Sequence, residues 1–158
     1  MIGLLTAIVI FNILAYKTNK DLTRKEIAHI WCFTIAFQAV FDTYIDIKYN
    51  AYWYFSPDVD WISLPAVLLL LPPVNHIFIN WYPFKRSIGK QIIYFLCWEV
   101  VLLAYELLTQ LPQPWGYFYY GWWNLGYSVL LNPILLLIVV FYYKRVICKD
   151  GEEKKWAN

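Results

Sequence analysis

Five apolar runs separated by short polar connections make up most of the chain: residues 2–16, 27–47, 61–81, 91–109 and 122–143. A membrane-spanning helix needs about 20 mainly apolar residues, within a range of about 17–25. The last four runs meet that requirement. The first is short and spans only if Met1 and Tyr16–Lys17 are counted at its edges. It has no Lys or Arg before Lys17 and no small-x-small cleavage site ahead of the charges, so it is expected to be a retained helix and not a signal peptide. The pattern predicts an all-α membrane protein: a bundle of five transmembrane helices over residues 1–143, then a short basic cytoplasmic tail over 144–158.

Composition supports this reading. Of 158 residues, 61% are hydrophobic, 21% aromatic and 15% charged, against about 45–50% apolar and about 25% charged in ordinary soluble domains. A chain this short has too little interior to hide so much apolar surface from water, and a lipid bilayer is the expected partner for the excess. The net charge of +2 gives no sign of a nucleic-acid partner.

The placement of charge is more informative than its total. Lys17, Lys20, Arg24 and Lys25 lie in the connection 17–26, and Lys85, Arg86 and Lys90 in 82–90. Lys144, Arg145, Lys149, Lys154 and Lys155 lie in the tail. The intervening connections, 48–60 and 110–121, hold Lys48 alone. Basic residues near helix ends stay cytoplasmic, so the expected topology has the N-terminus outside and the C-terminus inside, in a plasma membrane. The two outer loops read YNAYWYFSPDVDW (49–61) and QPWGYFYYGWW (113–123). Such Tyr and Trp clusters are expected at the headgroup layer as an aromatic belt, with a platform for a partner, lipid or glycan as the alternative.

Polar residues inside the apolar runs are the candidates for function, since an ionisable group at a helix centre costs about 2.5–3.5 kcal/mol on insertion scales. Glu99 lies about 12 Å into the fourth run, near the midplane, and Glu106 about 22 Å along it. Their spacing of seven puts both on one face. Gln38, Asp42 and Asp46 climb the second run at i, i+4, i+8, and Asn124, Ser128 and Asn132 descend the fifth at the same spacing. Polar faces on such helices hydrogen-bond to one another for want of other partners. Facing stripes would give an acidic and amide-lined interior open toward the outer face, with Asp42, Glu99, Glu106 and Asn132 along it. Glu99 has no basic residue at its depth and is expected to be neutral at pH 7, hydrogen-bonded to Asn132 or a similar group. With Asp58 and Asp60 the outer half carries six carboxylates.

In the third run, SLPAVLLLLPPVNHIFIN, Pro72 and Pro73 free the carbonyls of Leu68 and Leu69 and predict a kink; Asn75, His76 and Asn80 follow. Pro133 in the fifth run similarly frees the carbonyl of Val129. Broken helices build ion sites in many transporters but are also common in membrane proteins that transport nothing. The ligand or ion-binding candidates are therefore Asp42, Glu99, Glu106, Asn132, Asn124, Gln38, Asn75 and His76. His29 and His76 do not have the three or four convergent ligands that a metal site needs, and no catalytic fingerprint is present. No catalytic residue, metal site or cofactor is assigned. Cys32, Cys97 and Cys148 are expected to be buried free thiols acting as small hydrophobes.

The stretch Pro73–Val74–Asn75 with Trp81–Tyr82–Pro83, the pair Trp98–Glu99 and the block Trp123–Asn124–Leu125–Gly126–Tyr127–Ser128 resemble a family of small, uncharacterised multi-pass membrane proteins of endospore-forming Gram-positive bacteria. The resemblance covers most of the chain. It implies a bacterial plasma membrane and brings no activity with it. From the residues, the leading expectation is a non-enzymatic accessory or interaction protein of the membrane, with a membrane-protein partner or a second copy of itself. A proton, cation or small-solute channel, carrier or sensor using Glu99 and Asp42 is the alternative, and a lipid-modifying membrane enzyme the third.

Overall fold

A computed structural model describes residues 1–57 and 61–147. Five helices follow one another: α1 (Ile2–Thr18), α2 (Arg24–Asp42), α3 (Leu71–Trp81), α4 (Ile88–Thr109) and α5 (Leu125–Tyr142). Two of them continue as wider π-helical turns, α2 through Thr43–Lys48 and α5 through Tyr143–Ile147. α3 is preceded without a break by Trp61–Ser63 and a π-helical stretch, Ala66–Leu70. Counted with these extensions, Arg24–Lys48, Trp61–Trp81, Ile88–Thr109 and Leu125–Ile147 are long and apolar enough to cross a membrane. This is compatible with a membrane location. Ile2–Thr18 is apolar but shorter. The expected tail boundary at residue 144 falls inside the last π-helical turn; Cys148 and the residues after it, like Asp58 and Asp60, lie outside the described residues.

Local sequence explains where the helices begin. Thr23 caps α2, accepting from the Glu26 amide, while the Glu26 carboxylate accepts from the Thr23 amide at 2.7 Å, a reciprocal capping box. Asn124 caps α5 by accepting from the Gly126 amide at 2.9 Å. Pro72 and Pro73 sit in the first turn of α3, and their missing N–H groups leave carbonyls of the preceding stretch without a helical donor. The expected break is therefore a widening of the helix just before them. One freed carbonyl finds a partner on another helix: Leu69 O accepts from Asn12 Nδ2 of α1 at 2.8 Å.

α3 is the most enclosed helix and packs against α1, α2 and α5. At the end of the bundle that carries the basic connections, Phe78 is fully buried among Tyr82, Tyr94, Phe95 and Trp98. Ile30, Leu136 and Val139 complete that core. At the opposite, aromatic end, Leu4, Ala7, Ala66, Leu70 and Tyr117 form a second cluster. Cys32 and Cys97 are free but exposed, not buried as expected, because the helix faces that carry them look away from the neighbouring helices.

The aromatic end holds an element that helical periodicity does not foretell. Tyr52–Tyr54 (β1) and Phe118–Tyr120 (β2) pair antiparallel, with Tyr52 opposite Tyr120 and Tyr54 opposite Phe118. This small ladder joins the two aromatic loops into one lid. The chain turns into and out of β1 through Asn50 and Phe55, both at positive φ. Asn tolerates that conformation, whereas Phe is held there only by its surroundings; its amide donates to Tyr117 O at 3.0 Å.

α1 is pinned to the same lid. The Gly3 amide donates to Pro114 O at 3.3 Å, and a Cβ at Gly3 would lie 1.9 Å from the Trp115 carbonyl oxygen. Gly3→Val is therefore expected to push α1 off the lid and lower stability by about 1–3 kcal/mol, the usual range for overpacking. Thermal unfolding in detergent, compared with wild type, measures it; an unchanged midpoint would show that α1 is not seated there.

Candidate functional site

The polar stripes on α2, α4 and α5 meet beneath the lid. A cavity of about 190 Å3 is lined by Gln38 of α2, Tyr105 and Glu106 of α4, Ser128 and Asn132 of α5, and Tyr52 and Tyr54 of β1, with Trp123 and apolar side chains around them. Helical spacing of four and seven puts each stripe on one face, and the lid closes over the end where the three faces meet.

Three carboxylates of the stripes, Asp42, Glu106 and Glu99, are each tied to another element. Asp42 is buried, and its Oδ1 accepts from Gln38 Nε2 at 2.8 Å and from the Tyr52 hydroxyl at 2.6 Å. Glu106 Oε1 accepts from Ser128 Oγ at 2.6 Å and from the Tyr120 hydroxyl; Ser128 in turn accepts from Trp123 Nε1 at 2.9 Å. Glu99, deeper in α4 and buried, accepts from Asn132 Nδ2 across to α5 at 3.4 Å. The opposed residues of the ladder, Tyr52 and Tyr120, thus each latch one carboxylate, on α2 and on α4. A second tyrosine pair, Tyr105 and Tyr117, shares a short hydroxyl contact in the cavity wall.

Not all candidates join this site. Asn124 is an exposed helix cap. Asn75 and His76 face the other half of the bundle. Asn75 donates to Thr34 Oγ1 on α2 at 3.0 Å, His76 lies 3.3 Å from Asn19 Oδ1, and Asn80 holds Lys20 N and Thr18 O. These three tie α3 to α2 and to the connection after α1. A further cavity of about 130 Å3, lined by Thr34, Gln38, Asn75 and Asn132 among apolar side chains, lies below the first and shares Gln38 and Asn132 with it. His29 is exposed, and among the described residues no three His, Cys, Asp or Glu side chains gather as a metal site.

The residues missed by the helix-based reading are Tyr52, Tyr120, Tyr105 and Tyr117. A signal for the first two was present: in YWY and FYY every second residue shares a face, so Tyr52 and Tyr120 follow from a strand period in what otherwise reads as an interfacial belt. The other lid aromatics divide by exposure. Trp123 and Tyr117 are buried, while Tyr49, Trp115 and Trp122 are exposed.

The lid phenols are held neutral. Burial, then the neighbouring Asp42 carboxylate, pushes the Tyr52 hydroxyl well above its ordinary value, so it remains a donor. Burial, then the hydrogen bond to Glu106, pushes Tyr120 up to about 12. No protein family, curated protein or solved structure matches the chain.

Two outcomes follow from the latches. Tyr52→Phe leaves Asp42 with one donor fewer and is expected to cost about 1–3 kcal/mol, the range for a buried polar group losing its partner; a double-mutant cycle with Asp42→Ala, which removes the acceptor, measures the coupling in detergent unfolding. In alkali the folded chain holds the Tyr120 proton more tightly than the unfolded chain, whose phenols titrate near 10. This contribution is intact below about pH 10 and is lost as pH rises through about 12. Tyr120→Phe should remove that slope from the pH dependence of unfolding, and an unchanged slope would exclude the latch.

Proposed function

We propose that this is a small integral plasma-membrane protein of accessory or interaction type, spanning the bilayer five times with its N-terminus outside and its C-terminus in the cytoplasm. The observation that carries the reading is the occupation of the interior. Asp42, Glu99 and Glu106 are each hydrogen-bonded to a side chain of another element, Tyr52, Asn132, Ser128 or Tyr120. Polar groups so arranged hold a bundle and its lid in one register, as interhelical hydrogen bonds do where lipid offers no partner. The outer rim then presents Tyr49, Trp115 and Trp122, all exposed, and exposed aromatics of this type serve as anchors in protein interfaces. The basic connections support the orientation, and α1, at 17 residues, spans about 25 Å of bilayer. The partner is a membrane protein or a second copy of this chain.

A second reading, a proton or cation pathway, is favoured by one observation. The two cavities share Gln38 and Asn132, so polar side chains continue from the lid past Glu99 to Asn75 and Thr34.

In-membrane crosslinking followed by purification and mass spectrometry, with photoreactive residues at Trp115 and Trp122, tests the first reading. One stoichiometric partner, or a discrete self-crosslink, is expected; only scattered lipid adducts would sink it. Proton flux into proteoliposomes separates the two readings. Wild type and Glu99→Gln are expected to match protein-free vesicles, and a wild-type flux abolished by Glu99→Gln would establish the pathway instead.

A further inference from the structure

Asp42 has a second face. Its Oδ1 is engaged with Gln38 and Tyr52, both of which line the cavity beneath the lid. Asp42 itself borders a neighbouring cavity, which shares Tyr54 with the first. Its Oδ2 is buried and takes no hydrogen bond among the described residues, although the residue is only 7% exposed. A buried carboxylate oxygen without a donor is costly, so a donor from outside the chain has a vacant acceptor to fill.

This second cavity has a volume of about 430 Å3 and lies between the end of α2 with its π-helical turn and the segment leading into α3. Its wall includes Asp42, Asp46, Tyr54, Trp61, Leu64 and Val67. Asp46 follows Asp42 by four residues and shares its face. Among the described residues no basic side chain lines it. Lys48, the basic residue nearest in sequence, lies over the rings of Tyr44 and Tyr49, 5.4 and 5.2 Å from their centroids. Among the described residues the site therefore presents two carboxylates and no cation, beside aromatic rings and an apolar wall.

That chemistry selects among cations. A metal ion requires several oxygen ligands at close range, and no group of three or more metal-ligating side chains occurs among the described residues. An organic ammonium matches better. Its N–H groups reach carboxylate oxygens in charge-assisted bonds, its charge sits against the faces of Trp and Tyr, and its carbon chain covers Leu64 and Val67. Asp42 lies about 27 Å along α2 from Arg24 by helical rise, near the far edge of a hydrocarbon layer about 30 Å thick. Leu64, Leu68 and Val40 around it are exposed on the bundle's surface, which opens this level to lipid headgroups.

We propose that the cavity between α2 and the segment entering α3 binds a primary ammonium group, placed between Asp42 and Asp46 and against Trp61. The ammonium belongs to an ethanolamine-type lipid headgroup or to a free small amine. The inference goes beyond the accessory reading and stands whether or not a protein partner exists.

Native mass spectrometry of the full chain, released from micelles supplied with phosphatidylethanolamine or phosphatidylglycerol, tests the lipid source. Tryptophan fluorescence during titration with ethanolamine, in lipid-free detergent, tests the free amine. The variants are Asp46→Asn and Asp42→Asn. Asp46 has no side-chain hydrogen bond to lose among the described residues, and Asn at 42 retains an acceptor for Tyr52. Preferential retention of phosphatidylethanolamine, weakened about tenfold in Asp46→Asn as loss of one charge-assisted contact implies, supports the lipid source. A saturable ethanolamine response weakened to the same extent supports the free amine. Equal retention of both lipids with no ethanolamine response overturns the proposal, and so does binding that both variants leave unchanged. Crosslinking of a protein partner is read separately and is unaffected by either result.

Discussion

Carboxylates placed where water is scarce need partners from the protein itself, and the organisation of this molecule follows from that need. Asp42 on α2, Glu99 and Glu106 on α4 each lie within an apolar helix. Each is met by a group from another element: Tyr52 from the lid, Asn132 from α5, Ser128 and Tyr120 from α5 and the lid. An unpartnered polar group in such surroundings costs several kcal/mol. The three stripes and the lid therefore fix one another. A rotation of α4 or a slip of the ladder by one residue would break several of these bonds together, since a one-residue slip turns Tyr52 and Tyr120 to the opposite face.

Backbone groups obey the same rule. The prolines of α3 release a carbonyl at Leu69, which Asn12 of α1 takes up. The carbonyl of Thr18, the last residue of α1, is taken up by Asn80. These two contacts lie in the C-terminal half of α1 and hold a helix that is short and mostly apolar against α3 and the stretch before it. The amide residues Asn12, Asn75, Asn80 and Asn132 carry much of the interhelical bonding. A neutral amide both donates and accepts, so it can join helices at depth without introducing charge.

Much of this was legible beforehand. Residues 2–16, 27–47, 61–81, 91–109 and 122–143 correspond to the helical segments within a few residues at most ends, because hydrophobic run length is a local property. The pairing of Glu99 with Asn132 was open to inference, since both lie at similar depth on polar faces. Asn124 was read as part of a stripe and serves as the cap of α5; its position at the helix boundary is what decides this. The aromatic loops were read as a belt because Tyr and Trp favour interfaces whatever fold presents them. That Tyr52 and Trp123 turn inward depends on the β1–β2 register, a pairing of residues some seventy positions apart.

The helices, their lengths, the charge asymmetry between the two ends and the face on which each polar stripe lies are readable from the residues alone. All of these follow from composition and from the 3.6-residue period within single segments. Packing settles which stripes face one another, which carboxylate oxygens find donors among the described residues, and that two aromatic loops close as one lid. Those outcomes depend on distances between segments far apart in the chain. A helix's own periodicity specifies its polar face but does not specify the neighbour opposite, so Asp42 became a latch on one side and an open acceptor on the other only when β1 and the approach to α3 were packed around it.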